Sequence, residues 1–225
     1  MNADVDVKPV PQAPLSLAHQ FDDLVQQREA DDLGMWLFLC TEIMFFGGLF
    51  LAYTIYRSRD EAAFAAASHE LDLFWGTVNT AVLLTSSLTI ALAHHAAESS
   101  RRSQLVALLA ATLVLGSVFL GIKGLEYHHK YVHGLMPLLG LPFEWQGPSR
   151  GHAELFFDLY FLMTGIHALH MLIGLGILLV LLIQASRGRL LGDFSAPVRV
   201  TGLYWHFVDI VWVFLFPLLY LIGAR

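Results

Sequence analysis

Tyr204-Trp205-His206-Phe207-Val208-Asp209-Ile210-Val211-Trp212 places a histidine and an aspartate inside an apolar run from Val200 to Ile222. A helix of about 20 residues crosses the hydrocarbon layer of a bilayer, so this run reads as a transmembrane span. His206 and Asp209 stand at i and i+3 and share one helix face. Facing lipid, an ionisable group costs about 2.5–3.5 kcal/mol on insertion scales. The face is therefore expected to meet protein, water or a polar partner. Two readings stay open: a mutually satisfied pair that packs one helix on its neighbour, or a proton-handling or lipid-headgroup role.

The rest of the chain has the same character. Hydrophobic residues make up 56% and charged residues 14%, too little polar surface for a soluble domain. The predicted fold is all-α, an integral membrane bundle of five transmembrane helices: Leu33–Tyr56, Leu71–Ala93, Leu105–Leu125, Glu154–Gln184 and Val200–Ile222. The fourth stretch exceeds a bilayer's needs and is expected to tilt or project. Residues 1–30 are polar and acidic, contain Pro9, Pro11 and Pro14, and read as a flexible tail without a signal peptide. Residues 31–225 form the membrane domain.

With five spans the termini lie on opposite sides. The arginines of the second and fourth loops, Arg101, Arg102, Arg187, Arg189 and Arg199, favour an N-terminus in the cytoplasm. A net charge of −6 and no basic stripe argue against nucleic acid. Cys40 is the single cysteine, so no disulfide framework exists.

Buried polar residues are where function is sought. Glu42 has Phe38, Phe45 and Phe46 at i−4, i+3 and i+4. An apolar surround disfavours the carboxylate, so Glu42 is expected to be protonated or hydrogen-bonded. It is read either as a proton-exchanging group or as a tie to another helix. Asn79, Thr80, Thr85, Ser86, Ser87 and Thr89 in the second span, and Ser117, Gly121 and Gly124 in the third, have the composition of close helix packing. His167 and His170 share a face in the fourth span. A metal site normally takes three or four donors from several elements, and no recognised ligand spacing is present. Trp36, Tyr56, Trp75, Tyr127, Trp145, Tyr204 and Trp205 fit an interfacial aromatic belt.

Four segments in order resemble subunit III of the haem–copper respiratory oxidases. They are Thr41-Glu42-Ile43-Met44-Phe45-Phe46-Gly47; Asn79-Thr80-Ala81-Val82-Leu83-Leu84 with Ala93-His94-His95; Gly165-Ile166-His167-Ala168-Leu169-His170-Met171-Leu172-Ile173-Gly174; and the Tyr204–Trp212 segment. Glu126-Tyr127 falls where that family has a Glu-Tyr at a helix end. The resemblance covers residues 30 to 222 and corresponds to the last five helices of the seven-helix form. Five-helix forms occur in bacterial quinol oxidases and in nitric-oxide-reductase-associated proteins.

The resemblance implies a non-catalytic subunit of a terminal oxidase of the cytochrome c oxidase type. Such a subunit has no redox centre of its own, and haem and copper belong to the partner catalytic subunit. It implies packing against subunits I and II, bound phospholipid and support of proton uptake in a bacterial cytoplasmic membrane. Glu42 is the proton-related residue and favours the cytochrome c type over the quinol type, which tends to have aspartate there. His167, His170, Asp209 and Glu126 are expected to be structural. Arg187, Arg189, Arg199, Trp205 and His206 are expected to meet phospholipid near the cytoplasmic end of the last helices. The alternatives are subunit III of a quinol oxidase and a haem-b-binding anchor with His167 or His170 as an axial ligand.

Overall fold

Asp23, Asp60 and Asp72 each stand at the N-cap of a helix. Their carboxylates accept the otherwise unpaired N–H groups of Gln26, Ala63, and Phe74 and Trp75. The structure, a computed structural model, describes residues 21, 23–137 and 143–221. In chain order the helices are α1 (Leu24–Arg57), α2 (Glu61–His69), α3 (Leu73–Glu98), α4 (Arg102–Val132), α5 (Arg150–Ser186) and α6 (Ala196–Tyr220). A 3₁₀ turn, Gly192–Phe194, precedes α6. All five long helices have the length and apolar composition of membrane spans, and the protein is an integral membrane protein.

Three-residue turns at 58–60, 70–72 and 99–101 hold successive helices close together. The chain leaves α5 through Gly188 at φ +74°, the left-handed position that glycine takes beyond a helix C-cap. Helices α3, α4, α5 and α6 pack in a closed ring, each against the next and α6 back on α3. Helix α1 lies outside this ring, in the seam between α5 and α6. Helix α2 caps one end of the bundle against α5 and α6. The sequence reading had no α2, although Asp60 followed by an alanine-rich run is an N-cap followed by good helix formers.

The five expected spans all appear and most ends run longer, but α3 starts at Leu73 rather than Leu71 and α6 ends at Tyr220. Residues 24–30, assigned to the tail, form the first turns of α1; residues 1–20 and Ile222 lie outside the described residues. Helix α5 has 37 residues, about 55 Å at 1.5 Å per residue, against a hydrocarbon layer of about 30 Å. Its first turns run on beneath α2, where Phe64 meets Tyr53 and Phe156 edge to face and Tyr53 and Phe156 are tilted, with centroids 5.4–6.2 Å apart.

Trp205 and Trp212 of α6 are fully buried and fill the centre of the ring. The Trp205 indole passes between Gly116 of α4 and Gly174 of α5. A Cβ on either glycine would stand 2.9 Å from the ring. These two glycines let the backbones close on a tryptophan. Gly121 and Gly124, expected to do this work, face outward with open space around them. Ser117 is also exposed and donates to the Leu113 carbonyl of its own helix. Helical spacing alone could not tell which small-residue face of α4 points inward. The aromatic belt is likewise divided. Trp36 and Trp75 are about half exposed, whereas Tyr204 and Trp205 belong to the core.

Candidate functional site

The polar side chains inside the bundle fall into three groups, each joining different helices. The first joins α1 to α5. Nε2 of His170 lies 3.2 Å from Oε2 of Glu42. Nδ1 of His170 lies 2.9 Å from the Ile166 carbonyl oxygen. A carbonyl only accepts, so Nδ1 carries a proton, and the contact with Glu42 holds one further shared proton. That proton sits on the carboxyl or on the imidazole, giving a neutral pair or an ion pair. The Tyr204 hydroxyl donates to the His170 carbonyl at 2.9 Å and ties α6 to the same point. Phe46 packs on the His170 ring, as expected for an apolar surround. Phe45 faces outward at 47% exposure.

The second group runs through the middle of the ring and explains the hydroxyl-rich face of α3. The Trp205 indole N–H donates to Ser86 Oγ at 2.8 Å, and the Trp212 indole N–H to Thr80 Oγ1 at 3.0 Å. His206 Nδ1 pairs with Ser87 Oγ at 2.7 Å. Asp209 is 3% exposed and approaches the same Ser87 hydroxyl, though neither carboxyl oxygen completes a hydrogen bond of normal geometry. The shared face of His206 and Asp209 therefore meets α3. The histidines of α5, considered as its partners, are engaged elsewhere. His170 holds Glu42, and the buried His167 ring lies against Phe119 and Trp212 at 5.6 and 5.2 Å. Asn79 donates to the Phe119 carbonyl at 3.3 Å.

Of the third group the sequence singled out Glu126, beside Tyr127 at a helix end and expected to be structural; its partner Lys123 lies one turn earlier. Helix α4 continues to Val132, which places both inside the bundle. Their side chains are 5% and 8% exposed. The Lys123 ammonium uses its three donors on Glu126 Oε2 at 3.0 Å, the Tyr160 hydroxyl at 3.0 Å and the Tyr220 hydroxyl at 2.9 Å. Both tyrosines in turn donate to Glu126 Oε1, at 2.8 and 2.6 Å. The faces of Tyr127, Tyr160, Trp212 and Tyr220 all lie within 5.5 Å of the ammonium, a cation–π arrangement. A buried ion pair is tolerated only when its remaining lone pairs and protons are bonded in this way. The partners come from α5 and α6, more than 30 residues away, so no local pattern reveals them.

At the end of the bundle where α1 begins, Arg199 pairs with Asp32 of α1. Arg102 donates to the Ser186 carbonyl. Arg187 and Arg189 are exposed in the turn after α5. The five residues expected to meet lipid are therefore dispersed. Trp205, placed near headgroups by its position in the sequence, has no exposed surface, because its ring fills the gap left by Gly116 and Gly174. His206 is half-buried on Ser87. At the opposite end, outside the spans, His152 of α5 bonds Asp60 at 2.8 Å. The Asp60 carboxyl is held below the ordinary aspartate range, first by the Ala63 N–H and then by Ser149 and His152. Among the described residues, no three His, Cys, Asp or Glu side chains converge as a metal site.

The architecture defines a membrane helix bundle whose interior polar groups join helix to helix. The sequence pattern of cytochrome c oxidase subunit III matches residues 19–133 and 151–224. The chain belongs to that family, the third subunit of the haem–copper oxidases. It is 33% identical over 191 residues to the cytochrome bo(3) ubiquinol oxidase subunit 3 of Pseudomonas aeruginosa, covering 85% of this chain and 84% of that one. It is 30% identical over 203 residues to the probable quinol oxidase subunit 3 of Staphylococcus aureus, covering 90% and 94%. The corresponding Staphylococcus haemolyticus protein is 29% identical over 204 residues, with the same coverage.

Proposed function

We propose that this chain is the accessory subunit III of a quinol-oxidising haem–copper oxidase in a bacterial cytoplasmic membrane. In this reading its N-terminus is cytoplasmic, and it packs against subunit II and against catalytic subunit I, which carries the haem and copper. The observation that carries the accessory role is the use of the interior polar groups. Glu126, Lys123, Tyr160 and Tyr220 bond one another, His206 bonds Ser87, and Glu42 bonds His170. These contacts hold helices together. The quinol donor is supported by the relatives, which match this chain over most of both lengths and are named as quinol oxidase subunits. The glutamate at position 42 is the feature on the cytochrome c side. Its shared proton with His170 fits a supporting role in proton uptake. Phospholipid is held at the cytoplasmic end by Arg187 and Arg189, whose exposed guanidinium groups suit phosphate.

The test is purification of the complex through a tag on this chain. Subunits I and II and a haem spectrum belonging to subunit I are expected, with faster oxidation of ubiquinol than of reduced cytochrome c. A stable monomer bearing its own haem would overturn the accessory reading. Preference for cytochrome c would overturn the donor. Equal phospholipid content in wild type and an Arg187→Ala, Arg189→Ala variant would remove the lipid assignment.

A further inference from the structure

A groove of about 670 Å³ follows the seam where α1 leans on α5 and α6. That volume lies within the usual range of small-molecule sites, about 300–1,000 Å³. Its walls are apolar, chiefly Met35, Phe38, Ile173, Ile177 and Val200. The polar lining is the Glu42–His170 pair with Thr201 and Tyr204, and the Tyr204 hydroxyl is spent on the His170 carbonyl. The Glu42 and His170 side chains are 20% and 14% exposed. Their bond uses Oε2 of the carboxyl, and both ring nitrogens of His170 are engaged, so Oε1 of Glu42 retains hydrogen-bonding capacity towards a third group.

The depth of this pair separates the amphiphiles that would fit. From Glu42 to Asp32 along α1 is about 15 Å by helical rise, and from His170 to Leu181 along α5 about 16 Å. The polar pair is therefore at the inner end of the groove, with the Arg199–Asp32 tie near its outer end. A phospholipid places its phosphate at the outer end and its acyl terminus at the inner one. At the outer end Arg199 is already neutralised by Asp32, and no lysine or arginine lines the groove. At the inner end a methyl terminus offers a carboxyl–imidazole pair nothing to bond. A molecule with a small neutral head that accepts and donates hydrogen bonds, borne on an apolar tail, matches both ends. Such a head can lie deep in the membrane without a charge to desolvate.

We propose that this groove binds an isoprenoid quinol or quinone, with a ring oxygen hydrogen-bonded to Oε1 of Glu42, the carboxyl that His170 holds in place. The first isoprene units lie along Ile173 and Ile177, and the rest of the tail leaves past the exposed Phe38 into the bilayer. The site holds substrate close to the complex and adds no electron-transfer step. It rests on the reading that the complex works in a quinol-containing membrane.

The test uses the intact purified complex and a labelled azido-ubiquinone analogue as a photoaffinity probe, with labelled peptides mapped by mass spectrometry. Label is expected within residues 35–42 or 167–181. Unlabelled short-chain ubiquinone at roughly ten times its Kd should reduce it about tenfold, as mass action requires. Ile173→Trp, which fills the groove with an indole, should abolish it. If that variant does not assemble, competition in the wild type decides. Label confined to other subunits, or label that ubiquinone does not compete, overturns the proposal. So does a photoactivatable phosphatidylethanolamine that labels the same peptides and is displaced by phospholipid and not by quinone. A cross-link from Ile177→Cys to a helix of another subunit would show a protein occupant and overturn it as well. The donor is measured separately, as turnover with ubiquinol against reduced cytochrome c. A complex that prefers cytochrome c but keeps competed label in the groove refutes the donor and leaves the site standing.

Discussion

Replacing Gly174 with alanine tests how α4, α5 and α6 close on one another. The added Cβ would stand 2.9 and 3.0 Å from Cζ3 and Cε3 of Trp205 and 3.2 Å from Cε1 of Tyr204. Carbon–carbon contacts are most favourable at about 3.5–4.0 Å, so the overlap is roughly 0.5–1 Å. The indole has nowhere to move. Its far edge already abuts Gly116, and its N–H is fixed on Ser86 at 2.8 Å. Overpacking of this kind costs about 1–3 kcal/mol, and losing the Ser86 bond about 1 more. Alanine's helix propensity returns about 1 kcal/mol. The expected net loss is about 1–3 kcal/mol, roughly 2–12 °C in the midpoint for a chain of this size. Gly121→Ala is the control. Open space surrounds that position, so the variant should match or slightly exceed the wild type. The assay is thermal unfolding of the purified complex, followed by dissociation of this subunit. Adding Trp205→Phe to Gly174→Ala should recover part of the loss by relieving the overlap. Equal midpoints for Gly174→Ala and Gly121→Ala would refute the wedge.

Three further outcomes follow from the polar ties. Lys123→Met leaves the Glu126 carboxylate buried without its cation and should cost about 3–5 kcal/mol, while Lys123→Met with Glu126→Gln should cost clearly less; equal losses in thermal stability would contradict the coupling. A hydrophobic carbodiimide should modify Glu42, which faces the apolar groove, faster than Glu126, whose side chain is 8% exposed and bonded by Tyr160, Tyr220 and Lys123; peptide mapping that finds Glu126 modified first would reverse the assignment. The Asp60 carboxyl is held below its ordinary value of 3.8, so its stabilising effect is complete above that pH and fades on acidification through the lowered value. Asp60→Asn should flatten this part of the acid dependence of the thermal midpoint in the detergent-solubilised chain, and an unchanged profile would show that the cap and the His152 contact contribute nothing.

The wedge, the sealed ion pair and the groove differ in how far the chain announced them. Apolar runs long enough to span a bilayer are a local property, and every one of the five became a helix. The Tyr204–Trp212 segment also gave its own face correctly, because one-turn spacing puts His206 and Asp209 together whatever surrounds them. Motif order carried the family, since four segments in register over most of the chain are hard to match otherwise. Asp60 before an alanine-rich run is a local start signal for α2, whose nine residues are too short to stand out as a membrane-length apolar run.

Partner choice was a different matter. In a membrane chain both the lipid-facing and the interior surfaces are apolar, so hydrophobic patterning does not reveal which side of a helix is inside. That is why Gly121 and Gly124 looked like the packing glycines of α4 when Gly116 is, and why Trp205 looked interfacial when it fills the core. Glu42 was legible as an intramembrane acid, but its bond to His170, 128 residues away, depends on α1 settling in the seam of α5 and α6. The Glu126 cluster is likewise assembled from three helices. By itself the sequence determined the helices, their apolar lengths, the family and which residues were too polar to face lipid. Only the tertiary structure decided which groups those residues meet, because long-range pairing depends on how the helices rotate and close, and that is set by shape at contacts such as Gly116–Trp205–Gly174.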